Sequence, residues 1–258
     1  MGKFFEAIPE RLIPWIREQH LFWVATAPLS ADGHVNVSPK GVAGTFTVVD
    51  PTTVWYEDLT GSGIETISHL RENGRMTILF NAFDGPPRIL RLFGIGTAYE
   101  IGTPEYESYI PFKSRKPGSR AVIVLKIHKV GTSCGYAVPK FDFRQERSLL
   151  LDWAGGKERK QTEGSEEGTM AQYWKKKNSK SIDGLLGLEQ AIEQVGPLLN
   201  TPHKILDASS FSNSASSAVF VRRRELLIGY LAGIFTVVLY FQVARSVSSS
   251  LPMLSAWH

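Results

Sequence analysis

A succession of short strand-like runs restricts the fold of this chain more than any other feature. The runs "LFWVATAPL", "TFTVVD", "TVWYED", "RMTILFNAF" and "RAVIVLKIHKV" are rich in β-branched and aromatic residues, and turn residues separate them. Helical patterns are few and short, at residues 9–19, 65–72 and 104–109. Because the runs do not alternate regularly with helices of about 10–15 residues, a doubly wound parallel sheet is disfavoured. We therefore expect an antiparallel barrel, mainly β with helical insertions.

Local composition predicts how the chain is divided into segments. The barrel is expected in residues 1–154, and residues 155–206 are expected to form a charged loop, at 155–168, followed by short docking helices such as "SIDGLLGLEQAIEQV". Residues 207–225 are a serine-rich tether with a basic flank, and residues 245–258 are a short tail.

One apolar run predicts a membrane anchor. Residues 226–244, "LLIGYLAGIFTVVLYFQVA", contain no charged residue over 19 positions, which is just enough to cross a hydrocarbon core of about 30 Å. The arginines at 222–224 precede the run and predict that the main domain stays in the cytosol. The alternative is a buried helix of the main domain, although such helices rarely lack a polar face.

Charge and motifs disfavour several functions. The net charge of +4 is modest and no basic stripe with interleaved aromatics is present, which argues against nucleic-acid binding. A single cysteine, Cys134, excludes an intrachain disulfide, and the six histidines show no metal-ligand spacing. "GTSCG" at residues 131–135 fits the nucleophile elbow G-x-S-x-G, but Pro139 and β-formers follow where that elbow needs a helix.

The stretch "DLTGSGIETISHLREN" is a candidate anion site. Thr60, Gly61, Ser62 and Gly63 precede a predicted helix, whose free N–H groups and dipole favour an anion. Ser62 and Glu65 also fit a capping box, which needs no ligand. Both interpretations stay open at this point.

A lysine on a neighbouring strand supports the anion site. In "HVNVSPKGV", Ser38 and Lys40 share one face of the strand by alternation. Lys40 alone could be a surface lysine whose stem packs on the strand. Together with the small-residue turn it becomes a counter-ion for a phosphate.

Four ordered blocks resemble proteins of the pyridoxamine-phosphate-oxidase-like family, fungal branch. The blocks are "FWVATAPLSADGHVNVSPKG", "WYEDLTGSGIETISHLRENGRMTILFN", "PRILRLFGIGTAYE" and "TSCGYAVP", within residues 21–139. The resemblance implies a six-stranded split β-barrel that forms a homodimer and binds FMN in a groove between the two subunits. By position, Lys40 and Thr60 would contact the FMN phosphate, and Arg88 would start a flavin-lining strand. Turn chemistry adds Ser38, Gly61, Ser62 and Gly63.

The chain departs from the family pattern at the helix start. Ile64-Glu65-Thr66 replaces the Ser-Arg-Lys triplet of the oxidase, so two cations are missing and phosphate binding must depend on backbone amides, hydroxyls, Lys40 and Thr66. We therefore expect weaker FMN binding than in the oxidase. Ile89 replaces a glutamine, and the C-terminal substrate segment of the oxidase is absent, which argues against pyridoxamine phosphate as substrate.

The expected function is an FMN-dependent oxidoreductase, acting on a small molecule with NADH or NADPH as a possible electron donor. A non-catalytic module that binds flavin or another cofactor is the alternative, and a membrane-tethered scaffold with an empty barrel is a third interpretation. A deazaflavin or haem could replace FMN. No general acid or base is assigned, since His69 is expected on the helix surface.

Overall fold

The computed structural model describes residues 2–193. The strands are β1 (Lys3–Phe5), β2 (Phe22–Thr26), β3 (Asn36–Lys40), β4 (Phe46–Asp50), β5 (Thr53–Leu59), β6 (Arg75–Asn81), β7 (Ile89–Glu100) and β8 (Ser119–Ser133). The helices are α1 (Ile13–Glu18), α2 (Glu65–Asn73), α3 (Pro104–Tyr109), α4 (Leu149–Thr162) and α5 (Met170–Lys177). The prediction of a mainly β fold with helical insertions is confirmed.

All strand pairs are antiparallel and belong to one sheet. Its order is β3-β2-β6-β7-β8-β5-β4, and β1 pairs with β8. Within residues 2–193 the sheet therefore has eight strands, whereas six were expected. One of the additional strands, β1, pairs with β8 because the 15 residues of β8 extend past the end of β5, so that the edge around Val130 pairs with Phe5.

Aromatic contacts show that the sheet curls around its core. Phe22 of β2 and Phe46 of β4 have ring centroids 4.9 Å apart, although four strands separate them in the sheet order. Phe46 also packs edge-on against Phe80 of β6, at 5.2 Å. Such contacts require that the two halves of the sheet face each other, as in the expected split barrel.

Helix α2 places the 60–63 turn at the end of the barrel. It buries Ile67 and Leu70 against the sheet and ends at Gly74, which was predicted as its cap. Gly74 has a φ of 68°, and its N–H donates to the carbonyl of Leu70 over 3.0 Å. Since α2 begins two residues after Gly63, the turn cannot move independently of this packed helix.

The segment after the barrel differs from the prediction. The loop expected at residues 155–168 begins as helix, because α4 continues through Gly155 and Gly156 to Thr162. Ala154 is buried and Glu158 pairs with Arg115, and these tertiary contacts offset the low helix propensity of two glycines.

The helix expected from residue 181 starts only at residue 190. Residues 181–189 instead form turns and a short bridge, in which the N–H of Leu188 donates to the carbonyl of Asn178. Gly184 has a φ of 79°, which is incompatible with a continuous helix.

Within residues 2–193, no helix is both long and apolar enough to cross a membrane. The predicted span at 226–244, its tether at 207–225 and the tail at 245–258 lie outside the described residues.

Candidate functional site

Strand β3 brings one row of polar side chains toward the 60–63 turn. Asn36, Ser38 and Lys40 are partly buried on one face, whereas Val37 and Pro39 are exposed on the other. The predicted common face of Ser38 and Lys40 is thus confirmed.

A buried ion cluster joins β3 to the residues before the turn. Asp58 is fully buried and accepts hydrogen bonds from Lys40 Nζ and from Arg120 Nε, each over 2.8 Å. Burial alone would raise the pKa of the Asp58 carboxyl, but Arg120 and Lys40 outweigh it and lower the pKa from 3.8 to about 2. Asp58 is therefore an anion at neutral pH, and the cluster has a net charge of about +1.

The sequence did not predict that Arg120 and Asp58 belong to this site. Arg120 stands at the start of an apolar strand run, and nothing in the sequence shows that it faces the turn. In the structure one guanidinium nitrogen of Arg120 donates to the carbonyl of Gly63 over 3.0 Å. The side of the turn that lacks the two family cations therefore has a cation supplied from β8.

Thr60 supports the turn and has no hydroxyl proton available for a phosphate. It is fully buried, and its hydroxyl donates to the carbonyl of Gly118 over 2.6 Å while accepting from Trp174 Nε1 over 2.9 Å. A phosphate oxygen would need the proton that Gly118 already takes. The structure therefore differs from the expectation that the Thr60 side chain contacts a phosphate.

The rest of the turn is only partly open, because the Glu65 carboxylate lies beside Gly63, where an added Cβ would clash with Glu65 Oε2. Ser62 is exposed, and a Cβ placed on Gly61 would meet no residue within 4 Å apart from its chain neighbours. The alternative capping box is not formed, because the N-cap of α2 is Ile64 and no side chain caps it. The first N–H groups of α2 are thus free of a side-chain acceptor within the described residues.

Asn36 was not predicted as a site residue, but it connects Ser38 and Thr66, which were. Its amide nitrogen donates to Thr66 Oγ1 over 3.1 Å, and its amide oxygen accepts from Ser38 Oγ over 3.2 Å. Ser38 and Thr66, which lie on different elements, are therefore brought together at the first turn of α2.

Arg88 lies apart from this cluster. It stands just before β7, and its guanidinium packs over the ring of Trp15 at 5.1 Å from the centroid. In the part of the chain that the structure describes, no hydrogen bond joins Arg88 to the other predicted residues.

His69 is not on the surface, as was expected, but is fully buried between α2 and β2. Its Nδ1 lies 2.9 Å from Thr26 Oγ1, and its Nε2 has no partner among residues 2–193. Burial lowers the pKa of His69 from its ordinary 6.5, so the ring is neutral at pH 7. The expectation failed because α2 packs with both sides against protein, so a histidine outside the apolar stripe is still covered.

Comparison with known proteins identifies the family. A family model described as pyridoxamine 5'-phosphate oxidase matches residues 8–134. A pyridoxamine 5'-phosphate oxidase family protein of Aspergillus flavus, ustO, is 40% identical over 211 residues, which are 79% of this chain and 84% of that protein. The chain belongs to the pyridoxamine 5'-phosphate oxidase family.

Two solved structures show more distant similarity. HupZ of Group A Streptococcus is 24% identical with a TM-score of 0.39, covering 48% of this chain and 91% of its own. A FAD binding protein of Mycobacterium smegmatis is 12% identical with a TM-score of 0.33, covering 50% and 97%. At such TM-scores neither structure informs the activity of this member of the oxidase family.

The donor set fits a phosphate-bearing group of the kind this family name implies. The ion cluster is positive overall, and the Ser62 hydroxyl has no hydrogen-bond partner within residues 2–193. The start of α2 has no side-chain cap, and Gly61 borders open space. The Glu65 carboxylate opposes this in the first turn of α2, where it accepts from the N–H of Ile182.

Proposed function

We propose that this family member binds FMN through its phosphate and acts as an FMN-dependent oxidoreductase. The observation that supports this most is the Lys40–Asp58–Arg120 cluster, which leaves one net positive charge near a turn that is open at Gly61 and a helix start without a side-chain cap. An anion at this position would be attracted by the cluster and would satisfy the free N–H groups of α2.

Different residues would have different parts in holding the phosphate. Lys40 would supply charge, and its side chain is 21% exposed, so it can reach a ligand while Asp58 orients it. The amides of residues 61–63 and the hydroxyl of Ser62 would donate hydrogen bonds, with Ser38 and Thr66 at the edge of the same region. Thr60 would hold the turn, and Arg88 would contact the flavin from the position just before β7.

The bound flavin would supply hydride or electron transfer, and the chain would orient it and shape the substrate pocket. We propose a homodimer with the flavin groove between its subunits, a small-molecule substrate and NADH or NADPH as electron donor. We also propose that residues 226–244 anchor the protein in a membrane with the main domain in the cytosol. These proposals depend on the family resemblance and on the apolar run.

Glu65 favours a second candidate, a cofactor-binding module without turnover. It places a carboxylate in the first turn of α2, where the oxidase resemblance implies a cation. A like charge close to a dianion weakens binding, so such a chain would hold flavin less tightly and less precisely.

Purification of the full-length chain tests the proposal. A yellow protein with flavin absorbance supports flavin binding, and a colourless protein that does not bind added FMN contradicts it. Lys40→Met should weaken FMN binding by about ten- to a hundredfold, because one charge-assisted contact is lost. The matched control is Lys140→Met, an exposed lysine outside the cluster. Bleaching of the flavin by NADH or NADPH distinguishes an oxidoreductase from a binding module.

A further inference from the structure

Helix α5 and its C-cap residue, Asn178, hold the 60–63 turn from the protein side. The indole N–H of Trp174 donates to the Thr60 hydroxyl over 2.9 Å, and the amide nitrogen of Asn178 donates to the carbonyl of Gly61 over 3.0 Å. Trp174 is only 1% exposed and Asn178 is fully buried. The bond from Trp174 is therefore shielded from water and the bond from Asn178 is partly shielded, and an unpaired polar group at such a position is costly.

Helix α4 holds Gly118, which immediately precedes β8 and bonds to the turn. The carbonyl of Gly118 accepts from both the N–H and the hydroxyl of Thr60, over 2.7 and 2.6 Å. The N–H of Gly118 in turn donates to Glu158 of α4 over 2.7 Å, and a Cβ on Gly118 would lie 2.7 Å from Ala154 of the same helix. Helix α4 therefore constrains Gly118, which accepts from the Thr60 hydroxyl, and helix α5 supplies Trp174, which donates to it.

The bond from Asn178 also orients the next amide. A trans peptide is planar, so the carbonyl of Gly61 and the N–H of Ser62 point in opposite directions. Because the carbonyl points to Asn178, the N–H of Ser62 points away from α5. A Cβ on Gly61 would meet only open space, so this part of the turn leaves room for a ligand.

We propose that Trp174 and Asn178 are positioning residues for the phosphate of FMN, so that α5 is part of the cofactor site. Helix α5 lies after the region, 8–134, that the family model matches. The two residues would not touch the phosphate. They would fix the Thr60 rotamer and the Gly61–Ser62 peptide, so that the donors of the turn are already aligned when the phosphate arrives. This inference rests on the proposed binding of FMN.

The test compares FMN with riboflavin, which lacks the phosphate. Dissociation constants of both are measured by flavin fluorescence on the full-length chain, with Trp174→Phe and Asn178→Ala as variants. Each should weaken FMN binding about three- to tenfold, the effect of one hydrogen bond, and change riboflavin binding by less than about twofold. General damage to the barrel would weaken the binding of both flavins equally. The ratio of the two dissociation constants therefore reports the effect of the turn alone. Asn178→Ala preserves the test if loss of the indole prevents folding.

Two further variants serve as a control and as a test of the Trp174–Thr60 bond. Trp153→Phe is the matched control, because Trp153 lies on α4 and packs on Lys157 and Tyr173 without touching the turn. Thr60→Val removes the acceptor of Trp174, so its combination with Trp174→Phe should weaken FMN binding no more than Thr60→Val alone.

Three outcomes overturn the inference. Unchanged FMN affinity in both α5 variants means that α5 does not position the turn. Tighter FMN binding in Trp174→Phe means that α5 obstructs the site. If the unaltered chain binds no FMN, the proposed function fails together with this inference, whereas the first two outcomes leave the proposed function intact.

Discussion

Replacing Asp58 with asparagine tests the buried ion cluster directly. Asp58→Asn keeps the shape of the side chain but removes its negative charge. Lys40 and Arg120 would then lose their counter-ion, and the Arg120 side chain, 4% exposed, cannot turn to water without moving β8. Removing one partner of a buried pair costs about 3–5 kcal/mol, and we expect the lower end because Lys40 reaches solvent.

The pKa of Asp58 sets the pH dependence of this loss. Because the pKa is about 2 in the folded chain and 3.8 when unperturbed, the ionised carboxylate contributes about 2 kcal/mol of stability. That contribution is complete above pH 5 and is lost as the pH falls from about 4 to 2. The difference in unfolding free energy between the unaltered chain and Asp58→Asn should therefore shrink from about 3 kcal/mol at pH 7 to about 1 kcal/mol at pH 2.

Urea unfolding followed by tryptophan fluorescence, repeated between pH 7 and pH 2, measures this difference. Asp32→Asn is the control, because Asp32 is exposed and has no ion pair within residues 2–193. A loss below about 1 kcal/mol at pH 7, or one that does not change with pH, would show that the cluster does not stabilise the fold as argued.

Three other substitutions have defined outcomes. Tyr56→Phe should leave the unfolding free energy unchanged or raise it by up to about 1 kcal/mol, because the buried Tyr56 hydroxyl has no partner within residues 2–193; a clear loss in urea unfolding would contradict this. Gly118→Ala should cost about 2–4 kcal/mol, since its φ is 79° and Ala154 fills the space, whereas Gly164→Ala, also at positive φ but in open space, should cost about 1 kcal/mol; equal melting temperatures would refute the steric argument. In His69→Gln the unfolding free energy should no longer fall as the pH drops below 6.5, because only the unfolded chain protonates His69 readily there; an unchanged pH profile would contradict the burial argument.

Strands β2 to β8 and helix α2 could be predicted because local patterns decide them. The alternation in "NVSPK" places Ser38 and Lys40 on one face, and Gly74 ends α2 where its φ requires a glycine. Such features depend on residues within a few positions of each other, which a sequence shows directly.

The post-barrel helices could not be predicted in the same way. Gly155 and Gly156 lower the helix propensity of α4, and tertiary contacts such as its packing beside Gly118 and the pair between Glu158 and Arg115 compensate. The burial of His69 has the same cause, since α2 is covered on sides that its own pattern leaves polar.

The sequence by itself determined the mainly β architecture, the position of α2, the four family blocks and the small-residue turn beside a lysine strand. Only the tertiary structure decided which partners these residues have. Lys40 and Arg120 both pair with Asp58 because β8 extends beside β5. Thr60 gives its hydroxyl proton to Gly118, whose N–H is bonded to Glu158 of α4, and Trp174 of α5 donates to the same hydroxyl. Each of these contacts joins residues far apart in the chain, and local sequence patterns do not encode such pairings.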